Sequence, residues 1–125
     1  MKKKIFNCLI NSFLFFLCFC KFIFAQENSA AIFAYHRFGE QTFPSTNIKL
    51  KQFKSHINEI KKNNYNVLPI NEIIDHIINK KPLPEKTIGL TIDDGFISIY
   101  NNAWPLIKAA GLPVTIFITT GTIGS

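Results

Sequence analysis

Two adjacent carboxylates at the end of an apolar run constrain this chain more than any other feature. The run Ile88-Gly89-Leu90 leads into Thr91-Ile92-Asp93-Asp94-Gly95. A short apolar run bounded by turn residues is typical of an inner strand, and Gly95 allows a sharp turn after it. In α/β folds, sites are built where parallel strands end. Two like charges there call for a cation or a shared proton, so the motif favours a metal site.

The order of the predicted elements indicates an α/β fold. Strands are predicted at 30–35, 65–68, 87–92 and 114–118, a loop at 38–47, and helices near 49–63, 71–81 and 98–110. The first strand is expected to be buried. Asn47 or Thr46 is a candidate cap for the first helix, and Asn71 for the second. Pro105 is expected to break the third helix, and Gly111 suits its end. Strands that alternate with helices predict a parallel sheet wrapped by helices.

Residues 1–25 have the composition of a secretory signal peptide. Three lysines precede an apolar run from Ile5 to Phe19, and Ala25 is a small residue at which a peptidase could cut. The alternative is an uncleaved membrane anchor, although a spanning helix typically needs about 20 apolar residues. We therefore expect an exported protein, periplasmic, in the cell envelope or extracellular, whose domain begins at residue 26. Membrane contact is expected only if the leader is uncleaved.

Cleavage after Ala25 would also lower the formal net charge from +6 to +2 and remove all three cysteines. Four of the 14 basic residues lie in the leader, which leaves 10 against 8 acidic residues. This near balance argues against a nucleic-acid-binding patch. Disulfides and cysteine metal ligands are excluded for residues 26–125, because no cysteine remains there.

These segments, taken in order, resemble the polysaccharide deacetylase family, the carbohydrate esterases that share the nodulation-factor deacetylase homology domain. The family's first motif, Thr-Phe-Asp-Asp-Gly, is matched by Thr91-Ile92-Asp93-Asp94-Gly95, with Ile in place of the aromatic residue. Three flanking segments are also similar: Tyr35-His36, Lys81-Pro82-Leu83-Pro84, and the stretch from Ala103-Trp104-Pro105 to Phe117. The resemblance covers essentially all of residues 26–125.

The resemblance implies both a fold and a chemistry. The implied fold is the N-terminal part of a distorted (β/α) barrel, incomplete in this chain. The implied activity is metal-dependent removal of acetyl groups from N-acetylated sugars of a polysaccharide or oligosaccharide. The metal would be divalent, often zinc, and the partner an N-acetylated glycan. By match to the motif, Asp93 is the expected general base and Asp94 an expected metal ligand. His36 is a candidate pocket-lining residue, and the backbone N–H groups after the acids are candidate oxyanion donors.

The chain departs from the family after this first motif. Members complete the metal site with a later motif, His-(Ser/Thr)-x-x-x-His or a near variant, whereas His36, His56 and His76 all precede the acids. We expect the remaining ligands, and the histidine that protonates the leaving amine, to lie outside this chain. Surface positions are expected for His56 and His76.

Two other interpretations stay open. The first is a non-catalytic remnant or glycan-binding fragment that keeps the motif without holding metal. The second is a phosphotransfer receiver, which also uses adjacent acids at a strand end. The receiver ranks last, because it needs a later aspartate and the only other one, Asp75, precedes the pair.

Overall fold

The computed structural model describes residues 28–122, so the predicted leader lies outside the described residues. The strands are β1 Ala31–Tyr35, β2 Arg37–Phe38, β3 Asn47–Ile48, β4 Asn66–Val67, β5 Thr87–Asp93 and β6 Thr115–Phe117. The helices are α1 Leu50–Lys62, α2 Ile70–Ile78 and α3 Trp104–Ala110, with a π-helical segment at Ile99–Ala103 and a 3-10 turn at Thr120–Thr122. Within residues 28–122, no helix is both long enough and apolar enough to cross a membrane.

β5 is the centre of a four-stranded parallel sheet. β1 pairs along one edge of it. β4 pairs with the start of the other edge, where Val67 lies opposite Ile88. β6 pairs with the end of that same edge, where Ile116 lies opposite Ile92. Because every pairing is parallel, the carboxyl ends of β1, β5 and β6 meet near Asp93, as the predicted α/β topology requires.

Helices cover β5 closely on both faces. The side chains from Thr87 to Ile92 are all buried. Gly89 has no side chain where α2 crosses the strand, and a Cβ added there would lie 2.6 Å from Cδ1 of Ile70. On the core side, α1 buries Phe53, whose ring centroid lies 4.8 Å from that of Phe38 in an edge-on arrangement. Such ring pairs add about 0.5–1.5 kcal/mol beyond their buried area.

The structure corrects the prediction that the first strand is buried. Residues 31–34 of β1 are exposed, with Ile32 at 47% and Phe33 at 46%. An apolar strand has the same sequence pattern whether or not another element covers it. Among the described residues, β1 pairs with β5 alone, so its second edge has no strand beside it. The predicted loop 38–47 also contains more structure than expected, because β2 and β3 pair in parallel.

The helix caps differ from the prediction as well. Lys49 and Pro69 occupy the N-cap positions of α1 and α2, in place of Asn47 and Asn71. Asn47 instead bridges the backbone of Glu40: its amide donates to the Glu40 carbonyl at 2.8 Å, and its Oδ1 accepts from the Glu40 N–H at 2.9 Å. The side chain that could cap α1 therefore closes the loop before it.

The predicted break in the third helix is confirmed. The chain changes from π-helical to α-helical between Ala103 and Trp104, next to Pro105. Proline has no N–H to donate to the preceding turn, which accounts for the interruption. α3 then ends at Gly111, whose φ of 66° is the left-handed conformation typical of a helix C-terminus.

Candidate functional site

The acid pair lies in a tight, strained turn at the end of β5. Asp94 has a φ of 71°, and the N–H of Gly95 donates to the carbonyl of Asp93 at 3.0 Å. This is a γ-turn centred on Asp94, a type that is rare and strained when its central φ is positive. Aspartate tolerates that conformation better than most residues, yet such strain costs on the order of 1–3 kcal/mol. Strain of this kind tends to cluster at functional sites.

Two hydrogen bonds hold this turn against the end of β6. The N–H of Asp94 donates to the carbonyl of Phe117 at 2.9 Å. The hydroxyl of Thr119 donates to Oδ1 of Asp94, also at 2.9 Å. Thr119 therefore orients the carboxylate that the sequence assigns to a metal. Sequence reasoning misses this role of Thr119. The only signal for it in the sequence is a hydroxyl residue just after a predicted strand.

Hydrogen bonding in the turn argues against part of one prediction. The backbone N–H groups after the acids are the candidate oxyanion donors, and the first of them, that of Gly95, already donates to the carbonyl of Asp93. An N–H committed to a backbone acceptor does not point at a substrate oxygen. Oxyanion stabilisation by the Gly95 N–H is therefore not supported in this conformation of the turn.

His36 lies beside the other acid. Its Nε2 is 3.6 Å from Oδ2 of Asp93, and each side chain is 35% exposed. The strand register explains this proximity, because Tyr35 lies opposite Ile92, and the residues that follow these two in the chain are His36 and Asp93. When the imidazole is protonated, the two groups form an ion pair accessible to solvent. The sequence places both residues at strand ends but does not predict that they meet.

The other two histidines make contacts away from the acid pair. His56 is exposed, as predicted, and its Nδ1 shares a hydrogen bond of 3.1 Å with the hydroxyl of Tyr35. Burial raises the pKa of that hydroxyl. His76 is partly buried rather than fully on the surface, and its Nδ1 lies 2.9 Å from the carbonyl of Pro82.

The residues present fit a divalent cation only in part. Carboxylates and imidazoles are ordinary ligands of zinc, and Asp94 offers one such ligand. In residues 28–122, however, no group of three or more His, Cys, Asp or Glu side chains is arranged to hold a metal ion. The described part of the chain therefore supplies a fraction of a metal site.

Beside the site, Arg37 lies between two aromatic rings. Its guanidinium carbon is 3.4 Å from the ring centroid of Phe96 and 4.2 Å from that of Phe43. Its Nη1 is 2.8 Å from Oε2 of Glu40. The Ser98 hydroxyl, and after it the Arg37 guanidinium, hold the pKa of the Glu40 carboxyl below its ordinary value. Sequence reasoning misses Arg37, whose only signals are its position after His36 and the phenylalanine that follows the acid pair.

An apolar hollow of about 380 Å³ lies beside the turn. Its lining comes from the turn, the π-helical segment, α3, and β6 with the residue after it, and includes Phe96, Trp104, Ile116 and Ile118. Ile118 is 60% exposed. β6 thus leaves apolar surface uncovered in the described part of the chain, as β1 does.

Comparisons with known proteins agree with this architecture. Residues 80–125 match the family model for polysaccharide deacetylase. The poly-beta-1,6-N-acetyl-D-glucosamine N-deacetylase of Staphylococcus aureus is 28% identical over 113 residues, which cover 79% of this chain and 39% of the relative. The chain therefore spans about two fifths of the length of this curated relative.

Solved structures have the same fold over part of their length. A de-N-acetylase from Aggregatibacter actinomycetemcomitans is 35% identical with a TM-score of 0.60, over 70% of this chain and 36% of that one. IcaB from Ammonifex degensii is 24% identical with a TM-score of 0.69, over 79% of this chain and 42% of that one, a likeness of fold alone. The predicted fold class is confirmed: the parallel sheet and its helices correspond to part of a (β/α) barrel.

Proposed function

We propose that this chain, which is similar to part of the length of the polysaccharide deacetylases, supplies the acid–base part of a site that removes acetyl groups from N-acetylated sugars. The observation that carries the proposal is the placement of His36 next to Asp93, at the end of the strand whose following residue is Asp94. The substrate class is an N-acetylated polysaccharide or oligosaccharide. This class is taken from the relatives, whose named substrate is poly-N-acetylglucosamine.

The two half-exposed side chains can perform the proton transfers that amide hydrolysis requires. Asp93 accepts a proton from the water that attacks the acetyl carbonyl. As the tetrahedral intermediate collapses, the C–N bond breaks and the sugar nitrogen takes a proton. Within this chain we propose His36 as the donor of that proton, because its Nε2 lies 3.6 Å from Oδ2 of Asp93 and is therefore beside the proposed base. The resemblance assigns this role to a histidine outside the chain. The products are acetate and a free amino sugar.

A divalent cation, zinc in this proposal, belongs to the same site. Asp94 would hold it through the carboxylate that Thr119 orients, and further ligands would come from outside residues 28–122. When bound, such a cation polarises an acetyl carbonyl and makes water a better nucleophile near neutral pH.

The proposed location is outside the cytoplasm. The lysines and apolar run of residues 1–25 have the composition of an export signal, which supports this location. Membrane contact would arise only through an uncleaved leader.

A remnant without activity, or one that only binds glycan, is the second candidate. One observation favours it: the described residues contain no group of three side chains that could hold a metal. Such a fragment would keep the acid pair as an ordinary turn after a strand, since aspartate and glycine are common turn residues.

A chimera separates the two candidates. In this chimera, residues 26–125 replace the matching portion of the Staphylococcus aureus N-deacetylase. Two quantities are measured: the release of acetate from poly-N-acetylglucosamine and the zinc content of the purified protein. The enzyme proposal predicts acetate release that falls about 100-fold or more in Asp93→Asn, which loses the general base. Asp93→Asn should keep its zinc, because the base is not itself a ligand. A folded, zinc-loaded chimera that releases no more acetate than Asp93→Asn would favour the remnant.

A further inference from the structure

We propose that Arg37 is a positioning residue for this site, holding His36 in reach of Asp93 by stacking on Phe96. The inference deepens the proposed function and rests on it, since it concerns the same acid–base pair. His36 belongs to neither β1 nor β2, because it is the single residue between them. Its orientation therefore depends on how the residues next to it are held.

The stack joins the two segments that carry the site. Arg37 directly follows His36, and Phe96 comes two residues after Asp94. The guanidinium carbon lies 3.4 Å from the centroid of the Phe96 ring, a distance at which a cation is attracted to the ring face. A shift of the segment after β1 relative to the turn after β5 would break this contact. The contact therefore helps to hold the two segments together at the point nearest to His36 and Asp93.

Further partners fix the plane of the guanidinium. The carboxylate of Glu40 is 2.8 Å from Nη1, with the Arg37 side chain 18% exposed. The ring of Phe43 lies 4.2 Å from the guanidinium carbon. Phe43 has a φ of 59°, which is strained for a bulky residue and persists only where surrounding contacts determine it. The Arg37 guanidinium is thus held by two aromatic rings and a carboxylate rather than by one flexible contact.

Neighbouring hydrogen bonds fasten the same two segments farther from the site. The N–H of Phe38, a fully buried residue, donates to Oγ of Ser98 at 3.2 Å. Its carbonyl accepts from the side-chain amide of Asn102 at 2.7 Å. These bonds hold β2 against the segment after the acid pair even without Arg37. Loss of Arg37 should therefore disturb His36 more than the overall fold.

The test measures the environment of the His36 ring in the full chain. Long-range proton–nitrogen NMR correlations report the state of each ring nitrogen, and Asp93→Asn supplies the reference spectrum of a ring without its carboxylate partner. We expect Arg37→Met and Arg37→Lys to move the His36 ring-nitrogen shifts at least about halfway to those of Asp93→Asn, since lysine lacks the flat guanidinium that stacks on a ring. Lys54→Met removes an exposed cation from α1 and should leave the His36 signals unchanged.

A folded Arg37→Met protein with unchanged His36 signals overturns the inference. If Arg37→Met does not fold, Phe96→Leu tests the contact from the other side, because it removes the ring and keeps the charge. Unchanged His36 signals in Phe96→Leu would overturn the inference equally. Acetate release plays no part in this test. An inactive chimera together with Arg37-dependent His36 signals would contradict the deacetylase proposal and leave the positioning role standing.

Discussion

The central strand and the strands beside it differ sharply in burial. Ile92 in β5 is 0% exposed, whereas Phe33 in β1 is 46% and Phe117 in β6 is 53% exposed. β5 alone has partners on both of its edges within the described residues. Elements of this chain therefore pair with both edges of the strand that carries the acid pair and bury it, whereas β1 and β6 expose apolar side chains.

The candidate site is divided in the same way. The pair of His36 and Asp93, the strained turn and the Arg37 stack are formed by contacts inside residues 28–122. The ligands that would complete a metal site with Asp94 are not among those residues. The buried central strand therefore carries the part of the candidate site that the described residues complete, and the metal site is the part that they leave incomplete. The chain spans 39% of a curated relative.

The largest expected effect tests the burial contrast directly. Ile92→Ala should lower the free energy of unfolding by about 2–5 kcal/mol, because it leaves a cavity in the centre of the sheet. Ile116→Ala, on the 42% exposed side chain opposite it in β6, should cost about 1 kcal/mol or less. Urea unfolding of the full chain measures both. Equal losses would show that β6 is covered in solution and would remove the contrast.

The turn after the buried strand should be the next most sensitive position. Asp94→Val places a β-branched residue at a φ of 71°, which should cost about 1–3 kcal/mol. Asp94→Asn is the matched control, since asparagine tolerates this conformation and keeps the oxygen that accepts from Thr119. Thermal or urea unfolding gives both values. If valine were as stable as asparagine, the turn would not be strained as described.

A smaller effect is expected where the exposed strand meets the buried one. His36 follows β1, Asp93 is the last residue of β5, and their side chains are each 35% exposed. A double-mutant cycle with His36→Gln and Asp93→Asn should give a coupling of about 0.2–1 kcal/mol, since solvent screens a pair this accessible. The coupling should diminish as added salt screens the charges. A coupling of zero under conditions where the imidazole is protonated would mean that the two strand ends do not meet.

The smallest effect is a change in how stability depends on pH. The Ser98 hydroxyl and the Arg37 guanidinium lower the pKa of Glu40 in the folded chain. Ionised Glu40 therefore stabilises the folded chain fully above the pKa that this carboxyl has in the unfolded chain. That stabilisation is lost as the pH falls through its lower pKa in the folded chain. Between about pH 6 and about pH 3, Glu40→Gln should lose less stability than the wild type. Ser98→Ala, which removes the first of the two causes, should narrow that difference. The measurement is the free energy of unfolding as a function of pH. Parallel curves for the wild type and Glu40→Gln would contradict a lowered pKa for Glu40 in the folded chain.

Local sequence patterns were enough to predict the helices that have a clear apolar periodicity or that are bounded by proline or glycine. Phe53 and Ile57 mark the buried face of α1, and Pro105 and Gly111 mark the start and end of α3, because these effects depend only on neighbouring residues. Asn47 shows the limit of such rules. The side-chain chemistry that caps a helix also bridges a loop, and only the path of the chain decides between them.

The contacts that build the site could not be predicted in the same way. The approach of His36 to Asp93 depends on the register of β1 against β5, which joins residues far apart in the sequence. The stack of Arg37 on Phe96 has no local signature for the same reason. The residue types at the site were predictable because the motif names them, whereas their partners follow from tertiary packing.

The most direct test of the central claim is the zinc content of the purified full chain after dialysis against zinc-free buffer, beside Asp94→Asn. The account predicts well under one zinc per chain, with no difference between the two proteins, because Asp94 supplies one ligand and a stable site needs at least about three from protein. One tightly held zinc per chain that Asp94→Asn abolishes would contradict it. That result would mean that this chain completes its metal site alone.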